Sequence, residues 1–103
     1  RSFVLWFDEP FTWQSFTTIV QVLTSLRGPD LLRVKGLVNI VEESGPVVVQ
    51  GAQHLFDEPA RLDNWPSEDR RSRLVFITKN LSRELVEGLF KAVGTISAPA
   101  AKP

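Results

Sequence analysis

The chain predicts an α+β domain in which strands and helices follow the order β-α-β-β-β-α. Three observations carry this reading. Four apolar runs of strand length are bounded by Pro, Gly or acidic residues. Two further segments carry apolar residues at helical spacing. The two middle runs are separated only by a short Glu-Glu-Ser-Gly-Pro turn, the mark of a hairpin.

Ser2–Phe7 (SFVLWF) is aromatic and apolar throughout and reads as the first strand, closed by Asp8-Glu9-Pro10. Thr12 is placed as an N-cap. Phe16, Ile19, Val20, Leu23 and Leu26 then form one stripe of a helix that Gly28-Pro29 ends. Leu31–Val41 is the second strand. Its alternation puts Leu32, Val34, Gly36, Val38 and Ile40 toward a core, and Leu31, Arg33, Lys35, Leu37, Asn39 and Val41 on the other face. Val47–Phe56 returns as the third strand. Asp57–Ser72 is polar and, at sixteen residues, long for a connection in so small a domain. Arg73–Thr78 is the fourth strand. Ser82 caps a second helix, with Leu81 and Val86 as a hydrophobic staple and Leu85, Val86, Leu89, Phe90 and Val93 as its stripe. The expected domain spans residues 1–94, and the small, Pro-rich residues 95–103 read as a flexible tail.

Two parallel strands joined by the first helix leave room for one strand between them. The third strand is the natural candidate, which predicts the spatial order second, third, first, fourth. The result is a ferredoxin-like variant: a four-stranded, mostly antiparallel sheet with both helices on one face. The opposite face carries too much apolar surface for a solvated one, so it is expected to dock a missing domain or a second copy.

Composition narrows the function classes. At 103 residues with a 43% hydrophobic fraction, the chain is one ordinary globular domain. Twelve basic and twelve acidic side chains cancel, so charge gives no case for nucleic acid or an anionic membrane. There is no Cys, which removes disulfides, thiolate ligands and a thiol nucleophile. No apolar run is long enough to span a membrane. There is no Met, and the chain opens almost directly on a strand, so we expect a piece of a longer protein. No Gly-rich phosphate loop, Ser elbow or catalytic triad can be assembled, so the chain itself is not expected to be an enzyme.

Several groups of residues remain as candidates. His54, the lone histidine, lies three residues before Asp57-Glu58. An imidazole and two carboxylates can make a weak metal site, and the same residues at a strand end can be no more than a strand stop. The tetrapeptide Phe-Asp-Glu-Pro occurs at 7–10 and again at 56–59, and reads as a strand ending used twice rather than as a duplication. Arg33 and Lys35 share a strand face and could hold a phosphate or a partner's carboxylate. Leu37 adds apolar surface beside them. Asp69, Arg70, Arg71 and Arg73 form a mixed charged run that reads as a solvated loop end. Trp65 in the long polar loop either plugs that loop onto the domain or anchors a partner.

Arg33-Val34-Lys35-Gly36, then Val47–Phe56 ending in QGAQHLF, then Trp65-Pro66 and Arg73–Thr78, resemble in order and spacing the C-terminal domain of the CobW family of P-loop GTPase metallochaperones. The resemblance runs from Ser2 to Val93. It implies a C-terminal regulatory or partner-binding domain of a GTPase concerned with cobalt or zinc delivery or with cobalamin biosynthesis, and a cytoplasmic location. It also implies that the parent uses GTP, Mg and Zn or Co. The implied partners are the N-terminal GTPase domain, a client metalloprotein or a second copy, and neither nucleic acid nor membrane. The family's Walker A loop and CxCC motif are absent from this chain, so nucleotide hydrolysis and thiolate metal binding do not carry over. His54 matches a histidine common at this strand end in such domains. The alternative reading is a stand-alone metal- or ligand-binding module built on His54, Asp57 and Glu58.

Overall fold

The computed structural model describes residues 1–97, with side chains through Val93. The order is β1 (Ser2–Phe7), α1 (Trp13–Arg27), a 3₁₀ turn (Gly28–Asp30), β2 (Leu31–Val38), β3 (Val47–Ala52), β4 (Leu55–Phe56), β5 (Ala60–Arg61), β6 (Ser72–Thr78) and α2 (Arg83–Ser97). The α+β class and ferredoxin-like character hold, with six strands in place of four because two short ones lie in the segment after β3. Helix α2 continues past Gly94, where the expected domain ends. The rest of the expected tail, residues 98–103, lies outside the described residues.

Both helices start as their caps dictate. The Thr12 hydroxyl accepts from the Ser15 backbone N–H, and the Ser15 hydroxyl accepts from the Thr12 N–H, a reciprocal capping box. The Ser82 hydroxyl accepts from the Leu85 N–H, while Leu81 and Val86 are both fully buried, as a staple requires. The α1 stripe is narrower than expected. Phe16, Ile19 and Leu23 are buried, but Leu26 is exposed one turn further on, where the helix gives way to the 3₁₀ turn.

The strand order is β1-β6-β2-β3-β4, with β5 also on β3. β6 therefore fills the slot between the parallel strands β1 and β2, not the third strand as expected. A hairpin connection places β3 beside β2 but does not choose the side. The slot goes to β6, whose inward residues Leu74 and Phe76 are essentially inaccessible. The Ser72 hydroxyl, also buried, accepts the Asn39 N–H and ties the end of β2 to the start of β6.

One local register differs from simple alternation. A bulge between Leu31 and Arg33 in the β2–β6 ladder sends Leu31 into the core and Leu32 to the surface, reversing their expected roles. From Arg33 onward the expected faces hold. Gly36 sits where β6 passes closest, since a Cβ there would run into the Arg73 carbonyl.

The expected long third strand is broken. β3 and β4 form a tight hairpin through Gln53 and His54, with Ala52 opposite Leu55 and Gly51 opposite Phe56. Gln53 takes a positive φ of 56° at the first turn position, and its N–H donates to the Leu31 carbonyl. The Phe56 ring covers Gly51, which has room for no side chain. After Asp57-Glu58-Pro59 the chain pairs with β3 again at Ala60-Arg61, so the polar loop begins as an interrupted edge strand.

The core lies between one face of the sheet and the two helices, as a single cluster running from Leu5 and Phe16 through Val34 and Phe76 to Val86 and Phe90. Phe7 stacks on Phe90 at 4.8 Å and meets Phe11 edge-on at 5.2 Å, closing the core at one end.

Candidate functional site: the open face of the sheet

Alternation along each strand decides what the helix-free face presents. β1 gives Val4 and Trp6, because Leu5 turns inward with Phe3 and Phe7 beside the core. Cross-strand pairing then builds two rows. One runs Val4, Val75, Lys35, Gln50, and the other Trp6, Arg73, Leu37, Val48. Within these rows Lys35, Leu37, Val48, Arg73 and Val75, joined by Arg33, Gly36 and Ile77, line a shallow depression of about 520 Å³, with Val4, Trp6 and Gln50 outside its lining.

Three cations line this depression and no carboxylate does. The ion pairs Arg27–Asp30, Arg61–Glu43 and Arg71–Asp69 engage other cations, and Arg33, Lys35 and Arg73 are left without one. In a chain of zero net charge, that is a local excess of positive charge set among apolar side chains.

Trp6 borders the depression and is 44% exposed. The Arg71 guanidinium lies 4.4 Å from its ring centre and that of Arg73 5.7 Å. Arg71 is itself held by Asp69 through paired contacts of 3.1 and 2.9 Å. The Arg71 side chain, and then its backbone N–H, hold the Asp69 carboxyl down to about 2. The polar loop is thereby fastened to the indole at the sheet's edge.

Of the expected partner-binding residues, Arg33, Lys35 and Leu37 come together here and Trp65 does not. Trp65 is half-buried in the loop with the Arg70 guanidinium 6.0 Å from its ring, and is not among the lining residues. The aromatic beside the cations is Trp6. Arg71 and Arg73 are exposed, as expected of a solvated loop end, and both also reach this aromatic. Their i, i+2 spacing at the mouth of a strand was the available signal that they share one face.

The structure does not gather His54, Asp57 and Glu58 into one site. Among the described residues no group of three or more His, Cys, Asp or Glu could hold a metal ion. His54 is exposed at the hairpin tip, with its ring lying over Gly28 at the end of α1. The Asp57 N–H donates to the Gln50 carbonyl at 3.0 Å. Glu58 borders a groove with Trp13, Thr17 and Arg61 on the helix side. The tight turn at Gln53-His54 separates the imidazole from the two acids.

A second polar cluster secures that side. The Trp13 indole N–H donates to Glu43 at 2.8 Å, and Arg61 donates to the same carboxylate oxygen at 3.0 Å. Both hold the Glu43 carboxyl below its ordinary value, Trp13 the more strongly. The cluster joins α1, the β2–β3 turn and β5.

The sequence model of the cobalamin synthesis protein cobW C-terminal domain matches residues 1–94. The chain belongs to this family. This cobW C-terminal domain is also similar to two solved structures, the Zn(II)-bound YjiA GTPase from E. coli and a Zn(II)-bound triple mutant of YjiA GTPase. Each is 27% identical over 89% of this chain, with a TM-score of 0.78. The chain spans 29% of the length of those structures. Among its described residues no helix is long and apolar enough to cross a membrane.

Proposed function

We propose that this cobW C-terminal domain is a non-catalytic regulatory and partner-binding domain of a YjiA-like GTPase, and that its open sheet face is the binding surface. The observation that carries the reading is the set of three cations without an ion pair, Arg33, Lys35 and Arg73, among Leu37, Val48 and Val75. Apolar surface supplies affinity on burial, while desolvated cations demand carboxylates opposite them and so choose the partner. The partner is the GTPase domain of the same parent protein or a client metalloprotein, with Trp6 at the border of the contact. Trp65 serves as a separate anchor on the loop.

The parent is cytoplasmic, hydrolyses GTP with Mg, and handles zinc or cobalt in metal delivery or cobalamin biosynthesis. In this scheme the domain contributes no catalytic group. It reads the nucleotide state through the surface that packs on its sheet. Reversing charge with Arg33→Glu and Lys35→Glu in the full-length parent tests this. The expected outcome is an altered GTP turnover or client affinity by about tenfold or more, with folding unchanged. Unaltered turnover and client affinity in a folded variant would rule the face out.

A further inference from the structure

The two edges of the sheet are treated differently. The β3 side is closed by β4 and β5, each only two residues long, with Asp57-Glu58-Pro59 between them. Short strands, acidic residues and proline are devices that prevent edge pairing. β1 has none of them. Its six residues contain no proline and no charge, and its register with β6 runs unbroken from Ser2–Ile77 to Phe7–Ser72. Among the described residues nothing pairs with its other side.

The hydrogen-bond phase of that edge follows from its first pair. Arg1 and Thr78 exchange backbone bonds of 2.7 and 2.8 Å. Antiparallel ladders alternate bonded and non-bonded pairs. Phe3, Leu5 and Phe7 therefore bond to β6, and Ser2, Val4 and Trp6 turn their N–H and C=O groups outward.

We infer that β1 is a pairing edge for a second copy of this chain, the two β1 strands running antiparallel about Leu5 to make one continuous sheet. The ends of the strand argue for self-pairing. Arg1 precedes it and Asp8-Glu9 follow it. Pairing about Leu5 sets Arg1 beside the second copy's acidic pair, and the twofold repeats that contact at the other end. It also sets Phe3 against Phe7 on the core side and Val4 against Trp6 on the open side. A shift by one residue would put apolar side chains on mismatched faces. The outward N–H and C=O of Val4 then meet those of the second copy's Trp6, in phase with the free groups. This edge meets the border of the sheet-face depression at Trp6 but includes none of its lining residues, and the inference does not rest on the function proposed for that face.

Sedimentation velocity on this chain, from about ten micromolar to about one millimolar, tests the inference. The expected result is a monomer–dimer equilibrium. Val4→Pro removes an outward N–H but no bond to β6, so it should keep the fold and weaken the dimer about tenfold or more. Arg1→Glu should weaken it, and Arg1→Glu combined with Glu9→Arg should restore it. A chain that stays monomeric throughout, or a dimer untouched by a folded Val4→Pro variant, overturns the inference. If Val4→Pro fails to fold, amide exchange in the unaltered chain decides. Val4 and Trp6 amides that become protected with rising concentration support β1 pairing, and amides that exchange equally fast at all concentrations overturn it.

Discussion

Phe-Asp-Glu-Pro closes β1 at residues 7–10 and interrupts the opposite edge of the sheet at residues 56–59. In the first copy Phe7 turns into the core against Phe90 and Phe11. The chain past Pro10 then returns to bridge Phe11 with Ile40. In the second, Phe56 lies over Gly51 and the chain resumes pairing with β3 two residues after Glu58. Identical residues thus end one strand and merely interrupt another. The tetrapeptide sets where backbone pairing must stop, since Pro lacks an N–H and Asp and Glu are poor strand formers. What lies opposite sets whether pairing can restart. β3 offers Val47 and Val48 further along, whereas Phe7 already faces Ser72, the first residue of β6, and no more of that strand lies beyond it.

Substitutions at the two phenylalanines should break this symmetry most clearly. Phe7→Ala removes two ring contacts at the core and should cost about 3 kcal/mol in a urea titration. Phe56→Ala removes the cover over Gly51 and a partly buried contact with the core, but no ring–ring pair, and should cost about half as much. Equal losses would mean that the two environments are energetically alike.

The hairpin following β3 gives a smaller test whose sign matters. Gly28 has helical dihedrals (φ −48°, ψ −50°), so alanine is acceptable to its backbone, but its Cβ would run into the His54 ring. Gly28→Ala alone should destabilise by up to about 1 kcal/mol. In a His54→Ala background it should instead stabilise by about 0.5 kcal/mol, because the unfolded chain loses freedom. Thermal unfolding of the four proteins in the cycle checks this. No sign change would mean that His54 does not rest on Gly28.

The smallest effects are those of pH, and each edge has its own carboxylate. Asp69 is ordinarily near 3.8 and is held down to about 2, so the unfolded chain takes up its proton first. Its contribution is full above its unfolded value and is lost as the pH falls toward about 2. Glu43, held below 4.5, loses its contribution in the same direction as pH falls through its folded value. Asp69→Asn should flatten the acid limb of the stability curve and release Arg71 from Trp6, seen as a change in indole fluorescence. Glu43→Gln should flatten the limb and instead loosen β5, seen as faster exchange of the Leu62 amide, which donates to the Pro46 carbonyl.

Helix starts, the hairpin joining β2 and β3, the inward set from Val34 to Ile40 and the grouping of Arg33, Lys35 and Leu37 are all legible in the amino-acid sequence. Each depends on periodicity or capping within one segment, and neighbouring residues carry that information. The exchange of Leu31 and Leu32 is not legible there, because a bulge exists only relative to the strand alongside. Sequence pattern favours Trp65 over Trp6 as the aromatic of the binding face for a related reason. A tryptophan stands out in a polar loop, while one in an apolar strand shows its face only when the register with β6 is known.

The chain by itself determined the two helices, the four main strands and their order, most of the residues these bury and the absence of a thiol or phosphate-loop chemistry. Those follow from side-chain pattern and composition. Tertiary structure alone decided that β6 lies between β1 and β2, that His54 stands apart from Asp57 and Glu58, and that the cations of β2 and β6 line one depression. Strand order is a choice among arrangements with the same local pairing preferences. It is settled by which strand loses most apolar surface at the centre of the sheet, and no single segment carries that quantity.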